Sequence, residues 1–168
     1  MDPAVRVNVR IRPALAADRE FVLGLAPRLV EFDDVPGRDR EQMVSRDRAV
    51  LARVLDVPAA DSALFVAEDQ SGRPVGFIHL TTAEDYYSDS TTAHVADVVV
   101  VPEASSRGVG AALIAHAETW AVDRGFALLT LNVFVGNRRA REFYERLGFE
   151  EEWLRCIKRV RPQAETSG

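Results

Sequence analysis

Two short segments of the sequence combine residue types that could bind an anion and move a proton. The first, PEASSRGVG (residues 102–110), follows an apolar run and precedes a helical pattern. Gly108 and Gly110 let a backbone approach an anion closely, and the free N–H groups at a helix N-terminus bind phosphate without lysine. The segment therefore predicts a phosphate-binding loop, although a tight strand-to-helix connection uses the same glycines.

The second segment, NRRAREFYERLGF (residues 137–149), places Asn137 and Tyr144 on one predicted helix. Seven residues make about two helical turns, so the two side chains lie on nearly the same face, about 10 Å apart along the axis. One extended ligand could contact both. Each residue also has an ordinary structural role, as an N-cap for Asn137 and as part of an apolar stripe for Tyr144.

Alternating strand and helix patterns must position these two segments. Pro102 marks the end of the predicted strand before the glycine-containing segment, and Gly125 marks the end of the predicted helix after it. Pro27 should break the first predicted helix. The patterns predict one α+β domain over residues 1–161, with a mixed, mostly antiparallel central sheet flanked by helices, and a disordered tail over 162–168. The predicted strands are 5–12, 62–68, 74–82, 91–102, 126–135 and 149–160, and the predicted helices are 15–32, 39–57, 108–124 and 137–148.

Composition and charge narrow the class of protein. The chain has 168 residues, 47% of them apolar, which is enough for one folded domain. A net charge of −5 argues against nucleic acid as a partner. A single cysteine, Cys156, and the lack of a long apolar run or signal core favour a cytoplasmic protein that neither spans nor anchors to a membrane.

A dinucleotide-binding fold is a poor match for the glycine loop. The fingerprint of that fold needs a third glycine at position 113, which is Leu113 here, and a shorter strand-to-glycine turn than PEASSR. A nucleotide-dependent oxidoreductase therefore remains only a rival hypothesis.

The order of elements and the two motifs together resemble the Gcn5-related N-acetyltransferase (GNAT) family over essentially the whole chain. The first motif of that family is a strand ending in Val-x-Pro followed by (Gln/Arg)-x-x-Gly-x-(Gly/Ala), matched by Val100 to Gly110 except that Ser105 replaces Gln or Arg. Its second motif is Asn-x-x-Ala-x-x-Phe-Tyr-x-x-x-Gly-Phe. The matching residues are Asn137, Ala140, Phe143, Tyr144, Gly148 and Phe149.

The resemblance implies the GNAT fold and transfer of an acetyl group from acetyl-CoA, with no metal. It implies that Tyr144 protonates the departing thiolate, that Asn137 bonds the pantetheine arm, and that backbone groups hold the rest of the cofactor. The residues so implied are Val99, Val100 and Val101 for the pantetheine, and Arg107, Gly108, Val109, Gly110 and Ala111 for the pyrophosphate.

A general base must take a proton from the acceptor amine. Asp97 is favoured, because family members often carry an acid on this strand five or six residues before the proline. His79 and His94 are the alternatives, each more often structural in a strand. A zinc site built on His94 and Asp97 lacks further ligands at a useful spacing.

Clustered acids suggest a small, cationic amine as acceptor. In the family fold both clusters border the acceptor side of the cleft, and protein N-termini remain possible acceptors. The alternative is a catalytically silent GNAT module that senses acyl-CoA or binds a protein, and a homodimer is possible in either case. The clustered acids are Glu31, Asp33, Asp34, Glu84, Asp85 and Asp89.

Overall fold

The computed structural model describes residues 8–32, 37–57 and 59–160. Four helices and five strands follow one another along this part of the chain, with short 3-10 turns in three of the connections. In chain order the elements are β1 (Arg10–Pro13), α1 (Arg19–Leu25), α2 (Arg40–Asp56), β2 (Ala63–Glu68), β3 (Pro74–Glu84), β4 (Thr91–Val100), α3 (Val109–Asp123), β5 (Leu129–Leu131) and α4 (Arg138–Arg146).

One mixed sheet runs in the order β1-β2-β3-β4-β5. The first three ladders are antiparallel, and only β4 and β5 are parallel. The predicted mixed, mostly antiparallel sheet is confirmed, and the predicted strands 62–68 and 74–82 pair as the hairpin of β2 and β3. Asp69 closes that hairpin, since its Oδ1 accepts the backbone N–H groups of Ser71 and Arg73 at 2.9 and 3.0 Å.

The sheet separates two apolar layers because alternate strand residues point to opposite faces. Ile78 and Leu80 of β3 pack with Leu113 of α3 on one face. Phe77 packs on the other face with Leu51 of α2 and with α1. Burial of large side chains on both faces is the main stabilising contribution to this arrangement.

Helix boundaries in the structure have identifiable local causes. The predicted helix over 15–32 is interrupted, because α1 ends at Leu25 and a 3-10 turn over Ala26–Val30 contains Pro27. Asp39 caps α2, accepting the backbone N–H of Glu41 at 2.9 Å. Gly125 follows α3 with a φ of +77°, a conformation open to glycine at little cost.

The predicted strand over 126–135 is mostly wrong, because β5 contains only Leu129–Leu131. The backbone of Phe126 still belongs to the end of α3, since its N–H donates to Ala121 at 3.0 Å and its ring stacks on Trp120. Pairing with β4 stops at Leu131, after which the chain turns toward α4.

The predicted last strand over 149–160 is also wrong. Residues 150–160 have no strand geometry, and all of them are exposed, including Trp153 and Val160. Alternation of apolar residues predicts a strand only where another strand is available for pairing, and these residues pair with no strand of the described sheet. The predicted tail lies outside the described residues.

No helix in the described ranges is both long and apolar enough to cross a lipid bilayer.

Candidate active site

The parallel strands β4 and β5 separate halfway along β4. Their pairing ends at Val95 and Leu131, while β4 continues to Val100 in register with β3. The Val101 N–H donates to Val75 of β3 at 2.9 Å, so by alternation the peptide groups of Val100 and Val98 point away from β3. A stretch of β4 backbone therefore faces the gap left by β5.

One of these backbone groups already has a partner. Arg28, in the 3-10 turn after α1, donates from Nε to the Val100 carbonyl at 3.1 Å and pairs with Glu31 at 2.9 Å. Its side chain thus reaches the strand edge where the pantetheine is expected to lie. Nothing in the sequence motifs identified Arg28.

The glycine loop presents the N-terminus of α3. Gly108 is the N-cap residue with a φ of +83°, so no cap side chain covers the first N–H groups of the helix. Arg107 beside it is exposed, whereas the Ser105 hydroxyl donates to the Val101 carbonyl within the loop. Backbone amides, the positive end of the helix dipole and one guanidinium make this loop suited to an anion.

Helix packing explains why position 110 is a glycine. A Cβ atom at this position would lie 3.1 Å from Cζ of Phe143, on α4. The absence of a side chain therefore allows α3 and α4 to pack closely. The sequence interpretation, in which this glycine admits an anion, does not account for that contact.

Asn137 and Tyr144 lie on α4 as predicted. The Asn137 Oδ1 accepts the Ala140 N–H at 3.2 Å, so the side chain is an N-cap. Its amide nitrogen carries two further donors. The Tyr144 ring packs between Phe143 and Phe149, with centroids 5.3 and 5.7 Å away.

Burial, assisted by the nearby Asp97 carboxylate, raises the pKa of Tyr144 to about 12. Both effects disfavour the phenolate, so the hydroxyl keeps its proton throughout the neutral range. A phenol held in this way can donate a proton but cannot act as a base at neutral pH.

Asp97 and His79 face each other across β4 and β3. Their side chains are joined by a hydrogen bond of 3.0 Å between His79 Nδ1 and Asp97 Oδ2. The His79 side chain is 6% exposed and that of Asp97 is 17% exposed, so the carboxylate is the more accessible of the two. The sequence analysis gave His79 as an alternative base. In the structure it is more buried than Asp97, the favoured base, and is hydrogen-bonded to it.

His94 connects β4 to β5 immediately before they separate. Its Nδ1 lies 2.8 Å from the Thr130 hydroxyl, which itself donates to the Ala93 carbonyl. The hydroxyl proton is therefore used, and His94 must be the donor to Thr130. Burial lowers the pKa of His94 and favours its neutral form, which suits this structural role.

Asp47 on α2 joins the site without having been identified from the sequence. Its pKa is raised to about 6, first by burial and then by the charge of Asp97. The signal available in the sequence was a carboxylate four residues before Leu51, a core position of the same helix face. Asp47 and Asp97 are thus two acids close enough to affect each other.

We predict that Asp47→Asn stabilises the fold at alkaline pH. A carboxyl whose folded-state pKa, about 6, exceeds its ordinary 3.8 contributes stability below pH 3.8 and loses it as pH rises through 6. After allowance for solvent screening, the gain at pH 8 is about 1 to 2 kcal/mol.

Thermal unfolding at pH 5 and pH 8 measures this effect. The Tm difference between variant and wild type should be larger at pH 8. Asp123→Asn, at the exposed end of α3, is the control. A gain that is equal at both pH values would contradict a raised pKa at Asp47.

Within the described ranges, no three His, Cys, Asp or Glu side chains are grouped closely enough to hold a metal ion.

Comparison with known proteins identifies the family. The model of the acetyltransferase (GNAT) family matches residues 29–149, most of the chain. The chain belongs to the GNAT family of acetyltransferases. Its predicted family and α+β fold class are thereby confirmed.

Relatives extend the similarity to named proteins. An N-acetyltransferase of Methanocaldococcus jannaschii, itself uncharacterised, is 39% identical over 108 residues, covering 60% of this chain and 46% of that one. An aminoglycoside N(6')-acetyltransferase of Klebsiella aerogenes is 31% identical over 105 residues, covering 60% of this chain and 68% of that one. The match with the archaeal relative therefore spans about half of that protein's length.

Solved structures share the fold. The aminoglycoside acetyltransferase AAC(6')-Iy, in complex with the bisubstrate analogue CoA-S-monomethyl-acetylneamine, has a TM-score of 0.68 at 23% identity, covering 92% of this chain and 99% of that one. An aminoglycoside 6'-N-acetyltransferase from Acinetobacter baumannii has a TM-score of 0.70 at 16% identity, covering 92% and 100%. At these identities the likeness concerns the fold alone.

Proposed function

We propose that this protein transfers the acetyl group of acetyl-CoA to a primary amine of a small, cationic acceptor, by direct attack within a ternary complex. The observation that carries the proposal is the closeness of a candidate base, Asp97, to a candidate acid, Tyr144. Asp97 is accessible on β4, and its charge is felt by the Tyr144 phenol on α4. One group can remove a proton from an amine while the other supplies one to a thiolate.

The free edge of β4 and the N-terminus of α3 fit acetyl-CoA. The outward peptide groups of Val98 and Val100 can pair with the amides of a pantetheine arm, and the loop amides of residues 108–111 can bind pyrophosphate beside Arg107. Asn137 can contribute its amide N–H groups at the start of α4. Acetyl-CoA supplies a thioester, whose carbonyl carbon is open to attack by an amine.

The proposed role of Asp97 is to offset the free-energy cost of deprotonating the acceptor amine. An alkyl amine with a pKa of about 10.4 is roughly one part in a thousand neutral at pH 7.4, which corresponds to about 4 kcal/mol. Accepting the ammonium proton lets Asp97 deliver a neutral amine in the bound complex. The carboxylate reaches the cleft through Oδ1, because Oδ2 accepts from His79.

Charge near the base favours a cationic acceptor. Asp47 and Asp97 are close enough to interact, and a cation between them would relieve their repulsion. The acids of the 84–89 loop lie farther away, since Glu84 is five residues along β3 from His79, about 17 Å. They can steer cations toward the cleft but cannot contact the reacting amine. The named aminoglycoside acetyltransferase relatives agree with such an acceptor.

Binding and turnover test this proposal separately. Acetyl-CoA should raise the Tm of the wild-type protein and NAD should not, with a smaller rise in Arg107→Gln. A panel of neamine, benzylamine and a peptide with a free N-terminus then measures acetyl transfer at low and high salt. Neamine should be the best acceptor, with the steepest fall in kcat/KM as salt increases.

The outcomes separate the alternatives. Binding of acetyl-CoA without acetyl transfer to any amine would favour a silent acyl-CoA-sensing module. Binding of NAD in place of acetyl-CoA would favour an oxidoreductase. Equal salt dependence for neamine and benzylamine would remove the preference for a cation.

We predict that Arg28→Gln tightens acetyl-CoA binding about threefold, although it removes a positive charge. The guanidinium holds the Val100 carbonyl that a pantetheine amide would otherwise use, and one exchanged hydrogen bond is worth about 0.5 to 1.5 kcal/mol. Isothermal titration calorimetry gives the Kd. Arg48→Gln is the matched control, because Arg48 donates to Leu23 instead and should weaken binding slightly or leave it unchanged. Weaker binding in Arg28→Gln would mean that Arg28 contacts the ligand directly.

A further inference from the structure

We infer that Ser62 is a positioning residue for Asp97 and acts through His79. The inference rests on the proposed function, because it assigns a support to the base of that reaction. Ser62, half-buried in the turn before β2, places its Oγ 3.0 Å from Nε2 of His79. The other ring nitrogen of His79 lies 3.0 Å from Asp97 Oδ2. A continuous chain of three side chains therefore ends at the accessible carboxylate.

The chemistry of these groups makes Ser62 an anchor for the imidazole ring. An ionised carboxylate only accepts hydrogen bonds, so His79 donates to Asp97 from Nδ1–H. The Ser62 hydroxyl can donate to a bare Nε2 or accept from an Nε2–H, so it bonds this nitrogen in either case. Held at Nε2, the ring keeps Nδ1–H directed at Asp97.

Loss of the hydroxyl would affect the base and not merely the packing. Without the Ser62 hydroxyl, Nε2 has no hydrogen-bond partner from this residue and the ring can turn, so Nδ1–H is no longer held toward the carboxylate. Asp97 would then lose its hydrogen bond or turn away from the acceptor. Since the His79 ring is 5% exposed, bulk water offers little replacement for the serine.

The backbone holds Ser62 in place for this role. Its N–H donates to Ala59 at 3.3 Å, and the next residue, Ala63, begins β2. Leu64 of β2 lies opposite His79 in the β2–β3 register, so the hydroxyl, one residue before β2, lies beside the strand that carries the imidazole. The arrangement therefore depends on sheet geometry rather than on a long loop.

The first test compares Ser62→Ala with Ser62→Thr, which keeps a hydroxyl. Ser62→Ala should lower kcat for acetyl transfer from acetyl-CoA to neamine about threefold to tenfold, with the KM for acetyl-CoA unchanged, and Ser62→Thr should restore most of it. Thr119→Ala, which removes an exposed hydroxyl on α3, should leave kcat unchanged. Equal activity of Ser62→Ala and wild type would overturn the inference.

A double-mutant cycle tests the route through His79. In His79→Asn the amide N–H can donate to Asp97 and no ring nitrogen remains for Ser62 to bond, so adding Ser62→Ala should have no further effect on kcat. Two fully additive losses would overturn the proposed route.

Nuclear magnetic resonance provides a readout that needs no turnover. The ¹⁵Nε2 shift and the Nδ1–H proton shift of His79 should both move in Ser62→Ala, because Nε2 loses its partner and the hydrogen bond to Asp97 loosens. An unchanged Nδ1–H shift in Ser62→Ala overturns the inference even if no amine is acetylated. Absence of acetyl transfer by the wild type, together with a changed Nδ1–H shift, would reject the proposed function and keep the positioning of Asp97 by Ser62.

Discussion

Replacing Asp97 by Asn is expected to lower kcat for acetyl transfer at least about 100-fold while acetyl-CoA binds as tightly as before. General-base catalysis typically contributes about 10² to 10⁴ in rate. Asn has the shape of Asp and can still accept from His79 Nδ1, so the fold and the hydrogen bond should survive. Steady-state kinetics with neamine and calorimetry with acetyl-CoA measure the two quantities.

The pH dependence of the Asp97→Asn variant gives a second check. As pH approaches the amine pKa of about 10.4, the acceptor deprotonates without help, so the deficit should shrink steadily. Asp123→Asn, an exposed carboxylate at the end of α3, should behave as wild type throughout. A variant with full activity at pH 7 would show that Asp97 is only a buried partner of His79.

Tyr144→Phe should lower kcat about tenfold or more and leave the Kd for acetyl-CoA nearly unchanged. The variant removes only the hydroxyl, so the ring can still pack against Phe143 and Phe149. A thiolate with a parent pKa near 8.5 is a fair leaving group, which places the effect at the lower end for a general acid.

The raised pKa of Tyr144, about 12, also predicts how the loss of kcat depends on pH. The phenol stays protonated from pH 6 to pH 10, so the loss in Tyr144→Phe should be constant across that range. Tyr86→Phe, on the exposed 85–90 loop, is the control. Unchanged turnover with a lowered Tm would make Tyr144 a core aromatic and nothing more.

Local signals were sufficient for most of the fold. Asn137 caps α4 where the sequence placed an N-cap, α2 lies within the predicted helix 39–57, and the turn after Asp69 joins two predicted strands. Two predicted strands, 126–135 and 149–160, were wrong because strand formation depends on hydrogen bonding to a neighbouring strand. Alternation of apolar residues does not show that β5 stops pairing with β4 at Leu131, nor that residues 150–160 are exposed and unpaired with the described sheet.

The candidate site also contains residues that local signals predicted and residues that they missed. Asp97 and Tyr144 were predicted because a motif or an offset from a proline marks them. Asp47, Ser62 and Arg28 were missed, because each reaches the site from an element distant in sequence and none belongs to a motif. Only a three-dimensional arrangement could distinguish Asp97, the proposed base, from the more deeply buried His79 that bonds it.

A single β-bulge in β4 lies between the proposed base, Asp97, and the end of the pairing with β5. His79 lies opposite Asp97, but the next residue, Leu80, lies opposite Val95, so the exposed Ala96 is one residue more than the ladder needs. In a regular strand, His94 and Asp97 would point to opposite faces; the extra residue brings both to the face of α2. The same position is where pairing with β5 ends.

Deleting Ala96 alone would therefore make the ladder regular, with Val95 and Asp97 as neighbours opposite Leu80 and His79, and would leave every residue from Asp97 to Val100 on its present face. A one-residue slip that absorbed Ala96 into the ladder would instead turn those residues to the opposite face and their outward peptide groups toward β3. Homologues whose strand is shorter by this one residue can therefore keep the proposed base and the proposed acyl-donor edge where they are.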